Sequence, residues 1–463
     1  MTIFGAMTTA VTGLQANSKA LGHISDNIAN SQTIGFKRTE TNFRDLVTFS
    51  TSRNNAPGTV LAEARYTNTV QGALEAAQVP THMAINGDGY FMVSERIATL
   101  DNRPVFNEID YYTRRGDFEV DRFGYLQNGA GYYLQGVAIN PLTGNKVGDI
   151  PTRIQIENDF VQARQTTGLD YTANLASFPQ TVVADAGIPN SELMLDTAFT
   201  NNPSTIGGDG FVQAQDEQLF LDRSLAGGAV TMYDAIGNPV NVELRWAKVN
   251  NTGDGAGTGT GADTWNLFYQ TSTTATGTAP KWNNIGQAYV FNASGVATPA
   301  VTSATATGLT VDGINLGDIT FNHGANQITQ FADTNGSVSV NDIEQDGFAS
   351  GSLASIAVSD TGRVVGTYTN GKQLDLAEVT LVKFNADNRL RKLDGGAWAA
   401  TQDSGQAIQG ASGEIVAEAR ETSNVDIADE FSKLIVTQQA YSANTRIVTT
   451  ADDLVQETLN MKR

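Results

Sequence analysis

Apolar residues recur at intervals of three and four from residue 3 to residue 30: Phe4, Met7, Val11, Leu14, Leu21 and Ile28, with Ser18 and Ser25 completing the seam. Ile3 and Ile24 widen it. This spacing predicts an α-helix with a heptad-like stripe, about 40 Å long at 1.5 Å per residue. The opposite face is Thr, Asn, Gln, Ala and Ser, almost without charge. A solvated helix face ordinarily carries Lys and Glu pairs, so this face too is expected to be covered.

The other end of the chain repeats the pattern. From Ser423 to about Met461, Phe431, Leu434, Tyr441, Val448, Val455 and Leu459 fit one three-four seam, with Gln438, Thr445 and Asp452 in its remaining places. Ile435, Ile447 and Leu454 form an adjacent strip, so the apolar arc is wider than one partner helix needs. Ser423 followed by Asp426, just ahead of the apolar run, resembles a capping box. Two terminal helices can close an ordinary hairpin within one chain. The surplus apolar strips point instead to packing between molecules, because a lone helix exposing them would aggregate or fail to order.

Between the helices the period falls to two. Residues 36 to 72 are mixed, with Phe43, Leu46, Val47 and Phe49 ahead of "RNNAPGT", and read as an arm or linker. Short strands follow from 83 to 140, such as "MAINGDGYFMV" and "YYLQGVAIN", with Asn86-Gly87 and Asp88-Gly89 as turns. An Asp-x-x-Gly punctuation recurs at Asp121 to Gly124 and Asp234 to Gly237, and a related one lies near Asp360-Thr361-Gly362; each reads as a hairpin turn. The middle, 160 to 345, is poor in helix signals, and "NNTGDGAGTGTGADTW" within it reads as a low-complexity loop. After it, strand and turn alternation returns.

The expected fold is therefore a multidomain α+β protein, with paired long terminal helices, coiled-coil-like, and nested all-β domains. Residues 1–35 with 415–463 would form a terminal helical domain and 36–72 an arm. Residues 73–158 with 346–412 would form an inner β domain, and 159–345 an outer β domain inserted into it, with room for two subdomains.

Charge sharpens this picture. The 463 residues carry a formal net charge of −20, which argues against a nucleic-acid partner. Between residues 160 and 362 there are 19 Asp plus Glu against 5 Lys plus Arg, so most of the excess lies in the middle. A self-repelling middle and less charged ends suit a protein whose termini associate. No cysteine is present, which excludes disulfides and thiolate sites. No apolar run reaches the roughly 18 residues of a membrane span, so no membrane insertion is expected. The first 30 residues lack the basic leader and unbroken apolar core of a cleaved signal peptide.

Candidate chemistry is sparse. His23, His82 and His323 are far apart and none has a second histidine at ligand spacing. The Gly-Thr run at 257 to 261 lacks the strand-to-helix context of a dinucleotide site, and Gly347 to Gly351 misplaces its serine for a nucleophile elbow. No catalytic, cofactor or metal residue is expected, and the chain reads as a non-enzyme.

Two sets of motif positions stand out at the ends. At the start they are Gly13-Leu14, Ala16, Leu21, Ser25, Asn27-Ile28-Ala29-Asn30, Thr33 and Gly35-Phe36-Lys37. At the end they are Ser423-Asn424-Val425-Asp426, Glu430-Phe431, Ile435, Gln438, Tyr441, Ala443-Asn444 and Asp453. Through these residues both termini resemble the flagellar rod and hook axial proteins. "AINGDGYFMV" and "YTRRGDFEVDRFGYLQNGAGYYLQG" are similar to the β region that follows in that family. "DGFASGSLASIAVSDTGRVVGTYTNGK" is similar to the return segment of its hook members. Ser31 departs from the alanine common there, and much of 185 to 345 has no counterpart.

The resemblance implies a self-assembling extracellular subunit of the flagellar hook, a curved flexible tube that couples rod to filament and transmits torque. It implies export through the flagellar type III apparatus without cleavage. The implied partners are further copies of itself, the rod, the hook cap and the hook–filament junction proteins. A distal rod subunit, or a secreted β-rich adhesin or enzyme, would be the alternative. Val11, Leu14, Leu21, Ile24 and Ile28 are then expected to pack with Phe431, Leu434, Ile435, Tyr441 and Val448 within or between subunits. Asn27 and Asn30 would hydrogen-bond at the turn out of the first helix, and Gly35 would take positive φ before Phe36. Asn424, Asp426 and Asn444 complete the motif positions.

Overall fold

The computed structural model describes residues 3–50, 55–100, 103–141, 143–156, 160–205, 208–251, 262–410 and 413–461. Most of the Gly-Thr-rich loop, including the run at 257 to 261, lies outside the described residues, as do the side chains of Phe4, Val47 and Phe49. The chain divides into two compact units, Met1–Asp159 with Leu353–Arg463, and Phe160–Ser352. The secondary structure is mostly strand. Among the described residues it includes three α-helices: α1 (Ile3–Ala29), α2 (Glu217–Asp222) and α3 (Ile427–Asn460).

In the first unit, α1 leads into a segment read from sequence as an arm or linker. It is an antiparallel hairpin, Thr39–Ser50 with Asn55–Tyr66. Its Arg44 and Glu63 form an exposed ion pair at 3.4 Å, while Ala62 is buried. Phe43, opposite Ala62 on the same face, is 49% exposed, so that face is covered only in part.

The two flanks of the chain interleave in the main sheet of this unit. Gln373–Val379 pairs with Tyr132–Ala138, which pairs with Tyr90–Leu100, then Arg103–Thr113, then Ala397–Ala399. Two small antiparallel pairs join the flanks again: Met83–Asn86 with Glu414–Ala417, and Leu74–Ala76 with Ala419–Glu421. Phe91, Val93, Phe118, Leu126, Leu134 and Val364 are fully enclosed in its core.

The second unit holds two five-stranded sheets around one core of Leu169, Tyr171, Trp246, Trp265, Leu267, Tyr289 and Phe321. Val240, Val242, Leu244 and Trp246 point inward in alternation, while Asn241 and Glu243 point out. Gly168–Asn174 pairs in parallel with both Ile314–Asn322 and Ile328–Thr329, bridging a long stretch of sequence. Phe220 of α2 packs with Phe268 and Trp282 in a second cluster.

The recurring punctuation has one physical form with a local exception. Asp121 Oδ1 accepts the amides of Phe123 and Tyr125, and Asp234 Oδ1 accepts those of Ile236 and Asn238. Gly124 sits at φ 82°, where an added Cβ would lie 2.1 Å from the Ile156 carbonyl oxygen. Near Gly362 the accepting side chain is Ser359; Asp360 instead receives the Ala417 amide.

Candidate assembly site at the two termini

The motif residues of both ends converge on one buried junction in the first unit. Asn27 is 1% exposed, and its amide both donates to the Thr39 carbonyl and accepts from the Thr39 amide, at 3.0 and 2.9 Å. The side chain thus substitutes for a strand backbone and pins the hairpin to α1. Asn27 also donates to Glu430 Oε2 of α3 at 3.0 Å. Asn30 folds back on the Asp26 carbonyl at 2.9 Å and closes the helix end.

Gly35 has φ 65°, and its amide donates to the Glu421 carbonyl at 2.8 Å. A Cβ there would stand 2.9 Å from the Arg115 amide nitrogen, so the position requires glycine twice over. Phe36 is buried with Lys392 Nζ 4.1 Å from its ring centroid, and that ammonium lies 3.7 Å from Asp26. Lys37 Nζ reaches Glu421 Oε1 at 2.5 Å and the Val70 carbonyl at 2.6 Å. Burial lowers the Lys37 pKa from its ordinary value, and the Glu421 charge opposes that shift.

Asn424 ties the two ends by backbone contacts. Its Oδ1 accepts the Arg38 amide at 2.7 Å, and its Nδ2 donates to the Val70 carbonyl at 3.1 Å. The helix start differs from the sequence expectation. Asp426, with Oδ1 accepting the amides of Ala428 and Asp429 at 2.9 and 3.2 Å, is the N-cap, and Ser423 lies outside the helix. Aspartate is the stronger cap here because its carboxylate also meets the positive end of the helix dipole.

Above the junction α1 and α3 run antiparallel. Asn27 meets Glu430 at one level, and Asn444 comes within 3.0 Å of where a Gly13 Cβ would be at another. The face that α1 buries is Ala10, Gly13, Ala16, Ala20, Ile24 and Asn27. It repeats at three and four, but lies about one position away from the large apolar seam. Small residues let the elements approach closely, and the hairpin closes on α1 as well through Thr9 to the Gly58 carbonyl and His23 to Thr41. Ile24 is buried, Leu14, Leu21 and Ile28 are half-buried, and Val11 is 39% exposed.

On α3 only Glu430 and Ala451 are fully buried. Leu434, Asn444 and Val448 are half-buried, whereas Phe431 is 51%, Ile435 54% and Tyr441 40% exposed. Val436, Ile447, Leu454 and Leu459 are exposed too. They are spread around much of the helix circumference, so α3 exposes apolar side chains on more than the face turned to α1. Covering each would contribute on the order of 1 kcal/mol, half the value for full burial of such a side chain.

The histidines stand apart. His23 Nδ1 lies 2.8 Å from Thr41 Oγ1, His82 is 3.7 Å from Glu119, and His323 is enclosed in the second unit. Among the described residues no cluster of three or more His, Asp or Glu has metal-binding geometry. No helix among them is long and apolar enough to cross a membrane. Sequence reading missed Arg114 and Glu421, which complete the buried junction, and the Ala and Gly stripe. The stripe's spacing was readable, but a search for Leu and Ile passes over it.

Four family profiles match successive parts of the chain. "Flagella basal body rod protein" matches residues 7–37 and "Flagellar hook protein FlgE/F/G D1 domain" residues 84–167. "Flagellar basal body protein FlaE D2 domain" matches 226–348 and "Flagellar basal body rod FlgEFG protein C-terminal" 417–461. The flagellar hook protein FlgE of Brucella suis biovar 1 is 28% identical over 468 residues, covering 100% of both chains. That of Caulobacter vibrioides is 27% identical over 599 residues with the same coverage. That of Salmonella typhimurium is 26% identical, covering 99% of this chain and 100% of the relative. The crystal structure of Helicobacter pylori flagellar hook protein FlgE2 shares the fold with a TM-score of 0.50 at 16% identity, over 75% of this chain and 100% of that one.

Proposed function

This chain belongs to the flagellar hook protein family, and we propose that its terminal helices drive polymerisation into the curved, flexible tube of the hook. It is a structural subunit of that organelle. The observation that carries the polymer reading is the exposure of Phe431, Ile435, Tyr441, Ile447 and Leu454, which stay open although α1 already packs on α3. A second copy covers them, with Leu434 and Val448 beneath. Val11, Leu14, Leu21 and Ile28 form the matching outer edge of α1, and the helices pair in coiled-coil fashion around the tube. A repeated heterologous contact that does not close gives a helical tube.

Residues 1–35 with 415–463 act as the polymerisation domain. The inner β domain, 73–158 with 346–412, stands outside it and carries the inserted 159–345. The acidic middle supplies wet, weak contacts that slide as the tube bends and passes torque from rod to filament. Partners at the two ends of the tube are the rod below and the cap and junction proteins above. Export proceeds through the flagellar type III apparatus without cleavage, and no catalytic step is involved. The alternative of a distal rod subunit is disfavoured by full-length similarity to hook proteins.

The test is electron microscopy of the purified chain beside Phe431→Asp/Ile435→Asp. Both side chains are more than half exposed, so the variant keeps the wild-type melting curve. Wild type forms tubes or fibres and the variant does not; tubes from the variant would sink the reading.

A further inference from the structure

Lys37, Arg114 and Glu421 form an ion triad whose side chains are 1%, 4% and 0% exposed. Each comes from a different part of the chain. Lys37 follows α1, Arg114 follows the strand Arg103–Thr113, and Glu421 ends the strand that precedes α3. Glu421 Oε1 accepts Lys37 Nζ and the Gly72 amide, while Arg114 Nη1 lies 3.5 Å from Oε2. Arg114 Nη2 donates to the Gly87 carbonyl at 2.7 Å, and its guanidinium lies 5.4 Å from the Tyr90 ring centroid.

Two cations thus share one buried carboxylate. If the C-terminal segment leaves, Lys37 and Arg114 face each other in a closed site with carbonyl oxygens alone. If the N-terminal segment leaves, the junction loses both Lys37 and the Gly35 amide bond to the Glu421 carbonyl. Removing one partner of a buried pair is strongly destabilising, whereas removing both together is far milder.

We propose that Lys37, Arg114 and Glu421 are an interlock that makes docking of the N-terminal and C-terminal segments mutually dependent, so that a copy presents α1 and α3 together or not at all. They are positioning residues for the helices. The consequence for assembly rests on the polymer reading above; the interlock itself does not.

Hydrogen exchange on the full-length monomer tests it, read separately over residues 10–46 and 422–445. Glu421→Gln leaves two unbalanced cations, and protection falls by about 100-fold or more in both regions. Adding Lys37→Met restores the original net charge of the site and recovers most protection at both ends, although no carboxylate returns. Should Glu421→Gln unfold the unit outright, refolding of the double variant supports the interlock in the same way. Loss confined to residues 422–445, or a double variant no better protected than Glu421→Gln, overturns it. Polymerisation is not part of this readout, so failure of the hook reading would show separately as absent tubes from an interlocked wild type.

Discussion

Tyr289→Phe removes one oxygen from a polar network that rivets the two sheets of the second unit. Tyr289 Oη lies 2.7 Å from His323 Nε2, and His323 Nδ1 lies 2.8 Å from the Tyr171 carbonyl oxygen. A carbonyl only accepts, so Nδ1 carries the proton and Nε2 accepts from the Tyr289 hydroxyl. Trp246 Nε1 donates to Tyr171 Oη, which donates to the Gly227 carbonyl. His323 is 1% exposed, so the substitution leaves Nε2 unpaired where water has no access. That costs about 1–3 kcal/mol, or roughly 2–12 °C in Tm for a unit of this size.

Trp246, Trp265 and Trp282 lie in this unit and Trp398 in the other, so a thermal melt followed by tryptophan fluorescence reads the second unit chiefly. Burial lowers the His323 pKa below its ordinary 6.5. Well above pH 6.5 neither state is protonated and the group contributes nothing to the pH dependence. As pH falls below 6.5 the unfolded chain takes up a proton that the folded core resists, so stability declines until the lowered folded value is passed. Wild type should therefore lose Tm between about pH 7 and pH 5, and His323→Gln should flatten that slope. A Tyr289→Phe protein melting within about 1 °C of wild type at pH 7.5 would falsify the network's energetic role.

Two further substitutions probe the junction. Gly35→Ala combines a left-handed φ of 65° with a backbone clash at 2.9 Å. It should cost about 2 kcal/mol or more in urea denaturation of the first unit; a cost below about 0.5 kcal/mol would show that the turn relaxes freely. Asp426→Ala leaves the Ala428 and Asp429 amides uncapped. It should cost about 1 kcal/mol and speed amide exchange in the first turn of α3, with the second unit unaffected; an unchanged first turn contradicts the assigned cap.

The parts legible in the sequence were those governed by local periodicity. The three-four spacing located α1 and the end of α3 to within about a residue, because helices bury stripes. The start of α3 moved from Ser423 to Asp426 because either residue type can cap and only the geometry decides. The hairpin after α1 was not legible, since charged Arg44 and Asp45 stand on its two opposite faces and Thr and Ala fill many of the remaining positions, so no clean apolar alternation marks it. The seam of large residues on α1 was visible, but the face buried within the chain is the Ala and Gly stripe beside it. Size-weighted patterns cannot distinguish surface reserved for a neighbour from surface already used. Glu421 and Lys37 are 384 residues apart, and no local rule pairs them. Likewise the parallel pairing of Gly168–Asn174 with Ile314–Asn322 joins strands whose individual patterns carry no record of each other.

The most direct measurement is a helical reconstruction, by electron cryomicroscopy, of polymers grown from the purified chain. Phe431, Ile435, Tyr441 and Leu454 should be covered by helices of a neighbouring copy, with the junction of Asn27, Lys37 and Glu421 intact in every subunit. A polymer held only by contacts of residues 160–352, with those α3 side chains still facing water, would contradict the account.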